Sequence, residues 1–352
     1  MPKDTMTPKE RYLAILQHKQ PDRVPLEWRA TREVGEKLCR HLNCTLDEVL
    51  DRLHIDRTVH VGPAYVGPPI QPGYDLYGCK LKAVDYGTGV YNEVVSHPLA
   101  AYNTVDEIAD HYTWPSADWY DFSGIPHQVA GKEQYPVHGG GSEPFLTYKS
   151  LRGMEQAYMD LYEYPEIVHY CLDQLFDFRY EFTRRIFEQL PHGAVHASYI
   201  AEDLGSQESL LISPAAIDTF ILPRMKRMMD LAHQAGACVM FHSDGAVRSI
   251  LPAFIEAGVD VLDPIQWRCA GMDREGLKRD FGDQLVFHGA MDNQYTLAFG
   301  SVDEVRQEVI DNIRILGAGG GYILGPCHNM QAVNPVENIM AMYETGYEYG
   351  WY

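Results

Sequence analysis

The stretch from Cys238 to Ala246 reads Cys-Val-Met-Phe-His-Ser-Asp-Gly-Ala, an apolar run that ends abruptly in His242, Ser243, Asp244 and Gly245. Such a run fits a buried parallel strand, and Gly245 lets the backbone turn as it leaves the sheet. His242 and Asp244 then stand at the carboxyl end of that strand. In α/β proteins the loops at this edge converge on one concave face, and chemistry gathers there. If the strand stays extended, the two side chains face the same way. They can then share a proton, with the aspartate orienting the imidazole for acid catalysis.

Other apolar runs end in the same manner. Residues 194–200 empty into Glu202, Asp203 and Gln207, and residues 259–262 into Asp263 and Gln266. Residues 285–287 empty into His288 and Asp292, and residues 322–324 into Cys327 and His328. Burying isolated charges costs several kcal/mol, so this many titratable groups on one rim imply a bound polar molecule, a metal or proton transfer. The plainer account is that several are loop caps and solvated rim residues. Residues 135–138 read as another strand, emptying into Gly139-Gly140-Gly141-Ser142-Glu143. Three glycines after a strand can cradle a phosphate, but the spacing matches neither the dinucleotide fingerprint nor the P-loop. Close access of substrate to backbone, or a plain turn, fits better.

The elements that must carry these ends follow from periodicity and punctuation. Thr7-Pro8-Lys9-Glu10 is a capping box with proline at the first helical position, predicting a helix over 8–18. Leu26-Glu27-Trp28 is a first strand followed by Arg29 and Arg32, and residues 57–61 are a second. Helices are expected over 33–41, 46–53, 105–112, 165–190, 213–235, 247–257, 274–281, 302–316 and 335–343. Eight strands, nearly all followed by helices, imply parallel pairing with right-handed crossovers. They close most simply into a (β/α)8 TIM barrel, with residues 1–352 as one domain. Residues 62–119 break the pattern with glycine, proline and tyrosine, and are expected to be an insertion covering the mouth. Within it, residues 79–85 and 89–96 read as a hairpin across Tyr86-Gly87-Thr88. Tyr65, Tyr74, Tyr77, Tyr86 and Tyr91 would then form a wall for a planar substrate. A surface hairpin packed on its own aromatics is the alternative.

Composition narrows the partners. A net charge of -20 opposes binding to a phosphate backbone or an anionic membrane. The amino terminus lacks the apolar core of a signal peptide, and nowhere do about 18 apolar residues run together; a cytoplasmic protein is expected. Seven cysteines without a Cys-x-x-Cys pair do not suggest a disulfide framework or a zinc ribbon.

The opening helix with Pro21-Asp22-Arg23-Val24-Pro25, the His242 strand, the segment from Gly258 to Gln266, the segment from Phe287 to Asp292, and Gly319-Gly320-Gly321-Tyr322 through His328-Asn329 occur in that order. Together they resemble the uroporphyrinogen decarboxylase superfamily across most of the chain. True porphyrinogen decarboxylases follow the first strand with Arg-Gln-Ala-Gly-Arg-Tyr. Here the stretch is Arg29-Ala30-Thr31-Arg32-Glu33, and an acidic pocket suits a polycarboxylate poorly.

The resemblance is closer to the branch of zinc methyltransferases that work with a corrinoid protein, marked by His-x-Cys on one strand end and a cysteine on the last. This chain has His242-Ser243-Asp244 and Cys327, with aspartate in the place of the middle thiolate. The resemblance therefore implies a zinc site of His242, Asp244 and Cys327, completed by Glu202. A set with one thiolate is harder and better suited to polarising oxygen. Implied with it are methyl transfer from a small methoxylated donor to the corrinoid of a partner protein, and a possible homodimer. A metal-free version uses His242 with Asp244, His288 or His328 as the acid, with Asp203 beside them. Substrate contacts are expected from Glu202, Gln207, Gln266, Asp292, Tyr65 and Arg29. Decarboxylation of a polycarboxylate and a non-catalytic small-molecule binding barrel are the other readings.

Overall fold

A computed structural model describes residues 3–87 and 89–352. Seven parallel strands pair in sequence order: Val59–Val61, Val137–Ser142, Ala197–Ala201, Cys238–His242, Val261–Asp263, Val286–Met291 and Tyr322–Pro326. The segment at Leu26 closes the ring. Leu26 bridges Leu324 in parallel, the Glu27 N–H donates to the Leu324 carbonyl, and the Asp56 N–H donates to the Leu26 carbonyl. The chain is a (β/α)8 barrel whose first strand is reduced to a bridge. Among the described residues no helix is long and apolar enough to cross a membrane.

Strand alternation sorts the interior into two layers. The lower layer is apolar, with Ala197, Met240, Val261, Val286 and Ile323 closed from below by Tyr12 and Ile15 of the helix Pro8–Leu16. That helix carries the expected Thr7/Glu10 capping box. Two residues further along the same strands stand Tyr199, His242, Asp263, His288 and Gly325. The upper layer is therefore polar wherever the strand ends promised it. A Cβ on Gly325 would lie 3.2 Å from Glu27 Oε2, so glycine here leaves that carboxylate room.

Two features differ from expectation, and the insertion hairpin agrees with it. The strand expected to end at residue 138 continues through the glycines to Ser142, because a register shift between His138 and Gly141 absorbs them. Gly141 has φ +121°, and a Cβ on it would lie 1.9 Å from the Tyr199 carbonyl oxygen, so the triplet is a bulged strand rather than a loop. Two further helices, Pro144–Arg152 and Met154–Glu163, precede the long helix Pro165–Glu188. The insertion contains the antiparallel hairpin Lys80–Asp85 with Val90–Ser96, whose turn residue Thr88 lies outside the described residues. Ala64–Tyr65 pairs with Tyr120–Asp121 to tie off its base. Gln331 donates to the Tyr91 hydroxyl at 2.9 Å, which sets the hairpin beside the last strand-end loop.

Candidate active site

The upper layer opens into a cavity of about 590 Å³ at the carboxyl ends of the strands. Its wall includes Glu27, Trp28, Arg29, His60, His138, Glu143, Tyr199, Glu202, Asp203, His242 and His328. A larger hollow of about 890 Å³ lies between Leu211, Arg248 and Phe281 and holds none of the strand-end histidines. The chemistry therefore belongs to the smaller one.

Asp263, fully buried, organises the floor. One oxygen accepts from His242 Nδ1 at 2.9 Å and from Arg29 at 3.0 Å, and the other accepts from His288 Nδ1 at 2.6 Å. Burial alone would raise its pKa, but the charges on Arg29 and His288 and the imidazole hydrogen bonds hold it well below the usual carboxylate range. His288 Nε2 lies 2.7 Å from Glu27 Oε2. The N–H is not aligned with that oxygen, leaving an ion pair rather than a formed hydrogen bond. Burial works against charge on His288, yet Glu27 and Asp263 outweigh it and raise its pKa to about 9. Glu27 is likewise opposed by burial and held by His288 and Arg29 at about 2.

The sign of the resulting stability follows by linkage. The His288 contribution is complete below its ordinary 6.5 and is lost as pH rises towards about 9. The Glu27 contribution is present above its ordinary 4.5 and is lost as pH falls towards about 2. Denaturant unfolding of the native protein and of His288→Gln should differ most between these windows, and the difference should shrink from pH 6.5 to 9. A constant difference across that range would contradict the ion pair.

His242 completes the floor. Burial lowers its pKa, but the hydrogen bond to Asp263 and the field of that carboxylate raise it overall. With Nδ1 engaged, Nε2 faces Asp203 at 3.6 Å. Asp203, His242 and Asp244 each offer a ligand atom within 4.8 Å of the others. Two glycines make this approach possible. The loops after the Ala197–Ala201 and Cys238–His242 strands cross backbone to backbone, so a Cβ on Gly205 would lie 2.6 Å from the Asp244 carbonyl oxygen. The Ser243 hydroxyl accepts from the Leu204 N–H, and the Ser206 carbonyl accepts from the Ala246 N–H. Gly205→Ala is expected to part these loops and cost about 1–3 kcal/mol. It should impair ligand or metal binding at Asp203 and Asp244 more than it lowers the melting temperature; unchanged binding with intact folding would contradict this role.

The other expected residues fall into distinct places. Arg29 and His328 line the cavity, and Arg29 is tied to Asp263. Gln266 donates to Asp244 and accepts from the Gly245 N–H, steadying the loop rather than facing the cavity. His288 is buried behind Asp263. Glu202 lines the cavity, but its two oxygens accept the Phe145 and Leu146 N–H groups at the start of the helix Pro144–Arg152. Burial nonetheless pushes its carboxyl pKa up.

Four placements correct expectation. Cys327 turns away and donates to the Ile265 carbonyl at 3.2 Å; burial pushes its thiol well up. The His242, Asp244, Cys327 and Glu202 ligand set is therefore not assembled, and Asp203 stands in it instead. Asp292 is buried against Arg268 and caps the turn before the helix Thr296–Phe299. Gln207 is exposed and donates to Gln294 at 3.1 Å. Tyr65 donates to the Pro68 carbonyl and packs on Tyr120, and none of the five insertion tyrosines lines the cavity. The aromatic wall comes from Trp28 and Tyr199.

Glu27, His60, His138 and Tyr199 were not singled out from the sequence. His60 and His138 pair across neighbouring strands, with ring centroids 5.3 Å apart. Alternation within these short strands was the available signal.

The donors suit a divalent cation held by one imidazole nitrogen and two carboxylate oxygens, with Asp263 fixing the ring from behind. Zinc accepts such a set, but a thiolate-bound zinc does not fit, because Cys327 lies outside the group.

The uroporphyrinogen decarboxylase (URO-D) family model matches residues 78–349, and the chain belongs to that family. Uroporphyrinogen decarboxylase of Microcystis aeruginosa is 25% identical over 233 residues, covering 65% of this chain and 58% of that protein. That of Pseudomonas putida is 27% identical over 237 residues, covering 63% and 59%. The chain thus spans less than two thirds of the length of these curated relatives. A solved methyltransferase from Methanosarcina mazei superposes with a TM-score of 0.70 at 18% identity, covering 97% of this chain and 99% of that one, a likeness of fold.

Proposed function

We propose that the protein is a methyltransferase that moves a methyl group from a small methoxylated donor to the cobalt of a corrinoid carried by a partner protein. The observation carrying this reading is the orientation of His242: Asp263 holds Nδ1 from behind, and Nε2 is left to the cavity beside Asp203. Breaking an ether C–O bond needs the departing oxygen to receive a proton or positive charge. His242, its pKa raised, holds a proton at Nε2 and delivers it to that oxygen as the methyl carbon passes in line to cobalt. The donor leaves as an alcohol or phenol, and Asp263 stays anionic throughout, stabilising the imidazolium. Trp28 and Tyr199 provide an aromatic wall, and the volume of about 590 Å³ is enough for a small ligand. If a divalent cation such as zinc is bound, His242 Nε2, Asp203 and Asp244 would hold it; it would then take the place of the proton on Nε2 and supply Lewis-acid polarisation of the methoxy oxygen instead.

The uroporphyrinogen decarboxylase relatives raise decarboxylation of a polycarboxylate as the second reading. Arg29 is committed to Asp263, and Glu27, Glu143, Glu202 and Asp203 surround the cavity, a poor setting for many carboxylates. Incubation with methoxylated donors and free cob(I)alamin should yield methylcobalamin. Loss of carboxylates from uroporphyrinogen, without methylcobalamin, would instead select the second reading.

A further inference from the structure

Glu27, Arg29, Glu202 and His242 on the cavity wall all hold partners: His288, Asp263, two backbone N–H groups and Asp263 in turn. His138, on the strand Val137–Ser142, has none. Its ring lines the same cavity, yet among the described residues neither ring nitrogen meets a hydrogen-bonding group; Nε2 is sealed, and Nδ1 is the nitrogen left open to the cavity. His60, on the neighbouring strand, meets it edge-on at 5.3 Å and also lines the cavity. His60 Nε2 lies 3.1 Å from the Thr58 hydroxyl, so its Nδ1 is the second unclaimed nitrogen. Buried polar groups are almost always hydrogen-bonded, and two unclaimed imidazoles in one cavity call for a ligand that answers them.

The cavity joins this pair to His242 in one space. Met240 lines it two residues below His242 on the same strand, roughly 7 Å of strand length. Met240 belongs to the lower layer, and the His138 ring packs at 5.2 Å on Tyr12, which closes that layer from below. The cavity therefore descends from the layer of His242 and Tyr199 into that of Met240 and His138. A single six-membered ring with groups at its opposite ends spans such a depth. Burial, and then the neighbouring His60, hold the pKa of His138 down at about 3, so its ring is neutral. Burial lowers that of His60 as well.

We propose that His138, with His60 beside it, binds a free hydroxyl at the far end of the methyl donor, making the substrate a methoxylated alcohol or phenol. This rests on the methyl-transfer reading for the reacting end alone. The accessible nitrogen of a neutral imidazole donates in one tautomer and accepts in the other, and a hydroxyl answers both. A carboxylate only accepts and an ammonium only donates, so each meets the ring in one tautomer alone. A carboxylate would also share the cavity with Glu27, which is held anionic. Trp28 and Tyr199 on the wall favour an aromatic ring between the two ends, and hence a methoxyphenol.

The test is calorimetric titration of the full chain with 4-methoxyphenol and with anisole. The native protein should bind 4-methoxyphenol at least tenfold more tightly than anisole. That preference should vanish in His138→Phe, which keeps a ring without nitrogens, and fall at least twofold in His138→Gln; anisole should bind all three alike. Equal affinity of the native protein for the two ligands, or a preference undiminished in whichever variant folds, would overturn the proposal. Hydroxyl-dependent binding that is lost in His138→Phe, without methyl transfer from any donor, would remove the methyl-transfer reading and leave the hydroxyl subsite standing. Methyl transfer from anisole and 4-methoxyphenol at equal efficiency by native and His138→Phe proteins would do the reverse.

Discussion

Asp263→Asn is expected to cost the protein both stability and activity, because this one carboxylate answers three donors. It accepts from Arg29, His242 and His288 with no exposure to solvent. An asparagine keeps the shape but has one acceptor oxygen and turns an N–H towards groups that are themselves donors. Arg29 and His288 lose a counter-charge they cannot replace from water. Breaking a buried pair in this way costs about 3–5 kcal/mol, visible as a lower denaturant midpoint with unchanged slope. His242 loses the group that fixes its tautomer, and methyl transfer should fall on the order of 10²–10⁴-fold. An asparagine variant as stable and as active as the native protein would remove Asp263 from the centre of the account.

His242→Ala is expected to separate function from folding. The ring stands at the floor of the cavity, and its removal leaves Asp263 still paired with Arg29 and His288. The stability lost is that of a hydrogen bond to a charged group, about 1.5–3 kcal/mol, within reach of a folded variant. Methyl transfer should drop on the order of 10²–10⁴-fold, the usual contribution of a positioned acid. Divalent-cation binding, measured by dialysis followed by elemental analysis, should weaken in parallel if Asp203 and Asp244 share the ion with this ring. Retention of most of the activity would mean that another residue activates the leaving oxygen.

Much of the architecture was readable from the chain because parallel strands buried on both faces are written as apolar runs, and each ended in a polar group. The Cys238–His242 strand and the placing of His242 at the mouth follow from that pattern alone. Gly139 to Gly141 misled because a bulged strand and a loop use the same residue, and only the neighbouring backbone shows which applies. Asp203 was visible as a strand-end carboxylate, but its approach to Asp244 depends on two glycines from different loops meeting, which no local signal encodes. Cys327 sits at the expected strand end, yet a rotamer directs its thiol to the Ile265 carbonyl. Glu27 is legible as part of the first strand, but its role appears only when His288 stands opposite. The density of tyrosines in the insertion is compatible both with a substrate wall and with a hairpin packed on its own aromatics; Tyr86 packs on Tyr91, Tyr65 on Tyr120 and Tyr77 on Phe178 of the helix Pro165–Glu188, which is the second arrangement.

In the proposed reaction a methyl carbon leaves oxygen in this cavity. A donor carrying a ¹³C-labelled methoxy group, mixed with the protein and free cob(I)alamin and followed by ¹³C NMR, should show the label moving to cobalt as the demethylated alcohol or phenol appears. His242→Ala should slow that transfer to near the rate in buffer. A label that stays on oxygen across donors with and without a free hydroxyl, while uroporphyrinogen releases carbon dioxide in the same preparation, would contradict it.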